Sequence, residues 1–237
     1  MYSARTRRLA VSVLLACAVT ATSGSNATLA NAAGAAPQSG GTQQIDLAQR
    51  LAAGTLKVVN REATALQESP GAVHVTAKAG VGLVWVDGSD FAEGTLELEI
   101  RGRDVLQQSF VGIAFHGKDD TTYEAVYLRP FNFRAEDPAR HQHAVQYIAA
   151  PDYDWPRLRK EFPEEFENPV HPSIGPTDWV PVRVIVKGSR IQAYVGMVAS
   201  VTLEVRKLGQ QDRGMVGLWV GNTSDGDFRN LRLTPTK

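Results

Sequence analysis

Phe110-Val-Gly-Ile-Ala-Phe-His116, followed after Gly117-Lys-Asp-Asp-Thr-Thr122 by Tyr123-Glu-Ala-Val-Tyr-Leu-Arg129, decides the fold of this chain. In an extended strand successive side chains point to opposite faces. The first segment therefore divides into Val111, Ile113, Phe115 on one side and Gly112, Ala114, His116 on the other. The second divides into Val126 and Leu128 against Tyr123, Ala125, Tyr127 and Arg129. Asp119-Asp120-Thr121-Thr122 between them has turn chemistry, so the pair reads as a hairpin. Met215-Val-Gly-Leu-Trp-Val-Gly221 repeats the division, with Val216, Leu218 and Val220 opposite Met215, Gly217, Trp219 and Gly221. The aliphatic sides belong between two sheets. The other sides set small residues beside one large polar or aromatic group, which leaves room for a groove.

Period two runs through most of the chain. Strands are expected at Thr55–Asn60, Ala72–Lys78, Gly82–Val86, Thr95–Arg101, Ser109–His116, Thr122–Arg129 and His143–Ala149. Further ones follow at Val180–Lys187, Arg190–Val195, Ser200–Arg206, Met215–Gly221 and Phe228–Leu233, after one short helix over Ile45–Ala53. Short strands separated by Gly, Asp, Asn and Pro signals are the pattern of an all-β antiparallel two-sheet sandwich. No repeat of propeller or solenoid period interrupts it.

Met1–Ala32 reads as an export signal rather than as part of the fold. Arg5, Arg7 and Arg8 precede the apolar run Leu9–Val19, too short for a bilayer span, and Ala30-Asn31-Ala32 is a small-residue cleavage pattern. The alternative is a lipobox, Leu14-Leu15-Ala16-Cys17, with a lipid anchor at Cys17. Both imply an exported protein, periplasmic or extracellular. Residues 33–44 are an Ala/Gly/Ser/Gln-rich flexible linker, and 45–237 form one domain.

The whole chain balances 25 basic against 25 acidic residues, and removing the three signal arginines leaves 22 against 25. A mildly acidic domain argues against nucleic acid as partner. Cys17 is the only cysteine, so the domain has no disulfide and no thiol chemistry. No Walker loop, dinucleotide fingerprint, nucleophile elbow or zincin motif occurs, and no cofactor is expected. A calcium ion at Asp119-Asp120 would need further oxygen ligands that the sequence does not place.

From Phe110 to Trp155, aromatic rings mix with Arg, His, Asn and Gln. Rings cover the apolar faces of sugars, and planar polar groups pair with hydroxyls, so a carbohydrate is the expected partner. His116 is the candidate general base, Arg129 the electrophile and Tyr127 the proton donor, since histidine titrates near neutrality and a guanidinium fixes carbonyl or vicinal oxygens. Asn132, Gln146, Tyr147, Trp155 and Trp219 are the candidate substrate-binding residues. His141 and His143 would share a face of a strand, the only hint of a metal pair. Pro130–Asp178 is a long Pro-, aromatic- and charge-rich excursion, expected to border the groove or to cover a sheet edge.

The chain resembles the laminin-G-like and concanavalin A-like jelly-roll superfamily. The resemblance is carried by Phe110-Val-Gly-Ile-Ala-Phe-His-Gly, Tyr123-Glu-Ala-Val-Tyr-Leu-Arg-Pro-Phe-Asn, Val145-Gln-Tyr-Ile, Gly217-Leu-Trp-Val-Gly-Asn and Asp227-Phe-Arg-Asn-Leu. It is most similar to bacterial exported domains grouped with 3-keto-disaccharide hydrolases. That resemblance implies a jelly roll with a concave sheet face that handles glycans. It also implies, as alternatives, cleavage of a glycoside or 3-keto-glycoside in the same groove, or a protein-binding adhesion module on that surface. Glu97-Leu-Glu99 resembles the strand carboxylates of family 16 glucanases, but Arg101 stands where the third carboxylate would be, so that catalytic assignment does not carry over and a solvated outer strand is the better reading.

Overall fold

A computed structural model describes residues 41–236. The expected signal segment, Cys17 and most of the expected linker lie outside the described residues. Among those described, the order is β1 (Gln43–Ile45), α1 (Leu47–Ala52), β2 (Leu56–Val59), β3 (Ala63–Ala65), β4 (Val73–Val75), β5 (Gly82–Val86) and β6 (Gly94–Arg101). There follow β7 (Val111–Gly117), β8 (Tyr123–Leu128), a 3-10 turn (Pro130–Asn132), α2 (Pro138–Gln142), β9 (Val145–Ala150), α3 (Trp155–Glu161) and β10 (Glu167–Asn168). The chain closes with β11 (Val180–Lys187), β12 (Arg190–Val195), β13 (Leu203–Arg206), β14 (Met215–Val220) and β15 (Gly226–Pro235).

The strands form two antiparallel sheets. One has the order β13-β12-β11-β6-β15-β4-β3, with β1 also paired to β15; the other has the order β10-β9-β8-β7-β14-β5-β2. This is the expected jelly-roll sandwich. Alternation works cleanly in the first sheet: Leu96, Leu98 and Ile100 are buried, while Glu97 and Glu99 face outward. Glu97 stands opposite Arg183 and Arg232 on the neighbouring strands. Glu99 accepts from Arg229 Nε at 2.7 Å and from Asn230 Nδ2 at 2.9 Å. The glutamate pair is thus a charge ladder on an outer face.

The seven-stranded sheet is buried on both faces. Val111, Ile113, Val126, Leu218 and Val84 form its inter-sheet side; a Cβ on Gly226 of the facing sheet would come within 2.5 Å of Val111 Cγ1. On the other side the small residues do not leave an empty groove. Cross-strand neighbours Tyr127 and Trp219 flank Gly112, and their rings stack over it at 4.5 Å and 28°. A Cβ on Gly217 would meet Trp85 Cε3 at 2.7 Å, and one on Gly117 would meet Trp85 Cη2 at 2.6 Å. Gly117 and Gly217 are small because Trp85 lies on them, whereas a Cβ on Gly112 would run into the Val126 carbonyl and the Tyr127 Cα of the neighbouring strand.

Two local departures from the sequence reading matter. The helix begins at Leu47 rather than Ile45, because Ile45 pairs with Leu231 and Asp46 caps the helix through Gln49 N at 2.9 Å. More consequential, β14 and β7 slip register between Met215 and Gly217, and His116 adopts φ 51°. Such a left-handed residue at a bulge re-aims its side chain. His116 leaves the side of Gly112 and Ala114 and joins that of Phe115 and Glu124, whose Cα atoms are register partners.

Candidate functional site

The site lies where β8 ends and the excursion begins. Tyr127 and Arg129 project from the outward side of the seven-stranded sheet. Gln146 on β9 is the register partner of Tyr127, and Glu167 on β10 is the register partner of Gln146, so these groups form one row across three strands. The excursion then folds back over that row. Asp137 and Asp154 N-cap its two short helices by accepting from Ala139 N at 2.9 Å and Arg157 N at 3.0 Å, with Pro138 and Pro156 in the first turns. Leu158 is the buried anchor of α3, and that anchor holds Trp155 and Arg159 over the row as an i,i+4 pair.

Arg129 is 5% exposed. Its Nη2 donates to Tyr127 Oη at 2.8 Å and to Gln146 Oε1, and its Nη1 donates to the His143 carbonyl at 3.1 Å. Tyr127 Oη in turn donates to Gln146 Oε1 at 3.0 Å. Burial pulls the guanidinium down from its ordinary range and pushes the Tyr127 phenol up, so the phenol is a neutral donor at neutral pH, while arginine is a cation by its ordinary chemistry. Glu167 is held by Arg159 through Nε at 3.0 Å and Nη2 at 2.7 Å. Asn132 donates from Nδ2 to the same His143 carbonyl at 3.2 Å and accepts from Arg140 Nε at 3.4 Å.

Over this framework opens a cavity of about 420 Å³ lined by Leu106, Gln107, Phe110, Asn222, Trp155, Asn132 and the basic residues Arg129, Arg140, His143 and Arg159. Trp155 is 48% exposed, with the Arg159 guanidinium 5.0 Å from its ring centre. The volume falls within the usual range for small-ligand sites. Its chemistry is one accessible indole beside a set of fixed planar donors.

Of the residues nominated from sequence, Arg129, Asn132 and Trp155 line this cavity. Tyr127 and Gln146 lie in its floor as braces for Arg129, each 1% exposed. Trp219 is stacked beneath, 5% exposed, its Nε1 donating to Tyr123 Oη at 3.2 Å; it packs rather than presenting a face. His116 and Tyr147 are elsewhere. His116 is 1% exposed, with Nδ1 2.7 Å from Glu124 Oε1 and Nε2 2.7 Å from the Ala92 carbonyl. Tyr147 Oη donates to Glu124 Oε2 and accepts from Leu208 N at 3.0 Å. The bulge separates His116 from Tyr127 and Arg129 by the thickness of the sheet, so the three nominated catalytic groups do not converge.

His141 and His143 do not share a strand face either. His141 is in α2, where residues two apart point to different sides, and its ring lies edge-on to His171 at 4.9 Å. His143 turns toward Glu167, Nδ1 2.8 Å from Oε2 but off the line of a hydrogen bond. Sequence reasoning missed Arg140, Arg159 and Glu167 as site residues and weighed His143 only as a metal ligand. The composition of the excursion was the signal, but the Arg159–Glu167 pairing exists only once the loop folds back.

Burial holds the His143 imidazole below its usual range; Glu167 opposes this shift, while Arg159 and Arg129 reinforce it. With the folded pKa below the unfolded one, the unfolded state binds the extra proton first. Stability from this group is therefore complete above about pH 6.5 and is lost as pH falls through the folded value. Thermal unfolding of wild type and His143→Gln at stepped pH from 8 to 5 should show the wild type losing more Tm. Parallel curves would remove His143 as the cause.

No protein-family profile and no curated protein matches the chain. Solved structures do. The carbohydrate-binding module CBM66 from Bacillus subtilis superposes with a TM-score of 0.52 at 14% identity, over 76% of this chain and 96% of the module. A Bacillus subtilis protein of unknown function with a galectin-like fold gives 0.55 at 9% identity, over 81% and 94%. Bacillus licheniformis β-glucanase gives 0.51 at 10% identity, over 84% and 100%. At such identities the likeness establishes the fold, a concanavalin A-like jelly roll.

Proposed function

We propose that the domain recognises a glycan in the cavity between the outward side of the seven-stranded sheet and the folded-back segment 130–168. The observation that carries this is Trp155: a large indole, half-exposed at the rim, above a floor of buried and mutually braced planar donors. Sugar rings stack on such faces, and their hydroxyls take hydrogen bonds from fixed Arg and Asn groups. Similarity in fold to a carbohydrate-binding module and a β-glucanase supports the reading without assigning a ligand. The export reading of Met1–Ala32 accompanies it, since glycans of that kind are met outside the cytoplasm.

Trp155→Ala is the test. Removing one stacking ring should weaken glycan binding about tenfold, a loss of about 1–1.5 kcal/mol, while the unfolding midpoint stays near that of wild type because the ring is half in solvent. Titration calorimetry on a glycan panel reads the first, and urea unfolding reads the second. Undiminished binding in the variant would move the site away from this cavity.

A second reading, cleavage of a glycoside or 3-keto-glycoside, rests on His143. It lines the cavity beside Arg129 with Glu167 behind it, and its lowered pKa keeps it neutral and able to accept a proton at pH 7. In that reading His143, rather than His116, is the base. Product analysis with ordinary and 3-keto disaccharides separates an enzyme from a binding domain, and no conversion across the panel leaves recognition alone. A protein-binding adhesion module would bind no glycan at all.

A further inference from the structure

The cavity carries more positive charge than a neutral sugar needs. Three arginines line it and no aspartate or glutamate does. The carboxylate nearest to them, Glu167, is 2% exposed and already takes both nitrogens offered by Arg159. Arg140 has no carboxylate within ion-pair distance among the described residues; its Nη2 goes to the Phe131 carbonyl at 3.1 Å and its Nε to Asn132 Oδ1 at 3.4 Å. The close partners of Arg129 are the neutral Tyr127, Gln146 and His143 carbonyl groups, Glu167 stands off at 3.8 Å, and its Nε has no partner among the described residues. Asp104, Glu136 and Asp137 line a second hollow, which Arg140 and Arg134 also line, but none of the three carboxylates is within ion-pair distance of Arg140.

A buried guanidinium with neutral partners has lost hydration that only an anion restores in full. Arg129 is such a cation once Glu167 has been assigned to Arg159, and the half-buried Arg140 beside it is a second guanidinium with no carboxylate partner among the described residues. A carboxylate is planar and takes two parallel N–H bonds from a guanidinium fork while neutralising its charge, whereas a hydroxyl takes one bond and brings no opposite charge. We propose that the cavity selects an acidic sugar, with the carboxylate of a hexuronate set against Arg129 and Arg140 and its ring against Trp155. This deepens the glycan-recognition reading and rests on it.

The test uses the full chain and matched ligands differing only in charge: short oligomers of galacturonate, glucuronate, mannuronate and guluronate, each as free acid and as methyl ester. At least one free acid should bind about tenfold or more tighter than its ester by calorimetry, and raising NaCl from 50 to 500 mM should shrink that ratio. Arg140 is partly exposed and holds only neutral acceptors, so Arg140→Gln should fold and lower the acid-over-ester ratio about fivefold. Acids that bind no better than their esters would overturn the inference, as would a sulfated neutral-sugar oligomer that binds while every uronate fails. Binding of neutral glycans alone, still sensitive to Trp155→Ala, would overturn the acidic preference and keep glycan recognition. Failure of every glycan to bind would overturn both.

Discussion

Trp219→Ala is expected to destabilise the domain by about 3–5 kcal/mol, the loss typical of cutting a buried aromatic to a methyl. Read from sequence, this ring is a binding platform whose removal mainly weakens a ligand. The structure gives it another task. The indole is 5% exposed, stacked on Tyr127, and tied through Nε1 to Tyr123 Oη. It occupies the space above Gly112, with Leu83 as its neighbour on the other strand. None of these neighbours can collapse into the void: Gly112 has no side chain, and Tyr127 is pinned by Gln146 and Arg129. Urea unfolding should show a lower midpoint with little change in slope. Glycan affinity should also fall, because Tyr127 braces Arg129, but only as a second effect. A stability loss below about 1 kcal/mol with binding abolished would restore the platform reading.

The contrast between Trp219 and Trp155 marks where sequence reasoning reaches its limit. Trp219 sits between Leu218 and Val220 and Trp155 between Asp154 and Pro156, yet strand alternation sets the Trp219 ring on the open face of its strand, where it reads as a platform like Trp155. The division of faces was legible: Val126 and Leu128 do oppose Tyr127 and Arg129, and Glu97 and Glu99 do face outward, because period two follows from backbone geometry. Two kinds of information were not legible. The first is the bulge. One left-handed residue at His116 and one extra residue in β7 opposite Met215–Gly217 of β14 reverse a side chain without altering the alternation written in the sequence. The second is what fills a space. Gly112, Ala114 and Gly217 read as room for a ligand, yet small residues on a sheet also make room for the protein's own rings, as Gly217 and Gly117 do for Trp85. Of the excursion, only the composition was informative. That Arg159 would meet Glu167 eight residues further on, and that Arg140 would be left with neutral partners, depends on two capped helices and a two-residue strand.

His116 and Glu124 carry the other large expected effect. Glu124 is 1% exposed on the inter-sheet side and serves two groups at once, His116 through Oε1 and Tyr147 through Oε2. The segment around Leu208 and Gly209 closes over it; a Cβ on Gly209 would stand 2.6 Å from its Cδ, and Leu208 N donates to Tyr147 Oη at 3.0 Å. Phe91 stacks against the His116 ring at 6.0 Å, so water has no ready path to either group. Glu124→Leu would leave His116 Nδ1 buried without a partner and take from Tyr147 Oη its acceptor, leaving it only the Leu208 N–H, and the expected cost is about 3–5 kcal/mol. Tyr147→Phe in that background should cost less than Tyr147→Phe alone, because the hydroxyl's main acceptor has already gone; the cycle reads the network directly. His116→Gln should likewise lower the unfolding midpoint while folded protein binds glycan as wild type does, since the sheet lies between His116 and the cavity. Wild-type stability with loss of turnover or binding in His116→Gln would instead tie this buried network to the ligand, and the separation imposed by the bulge would have to be abandoned.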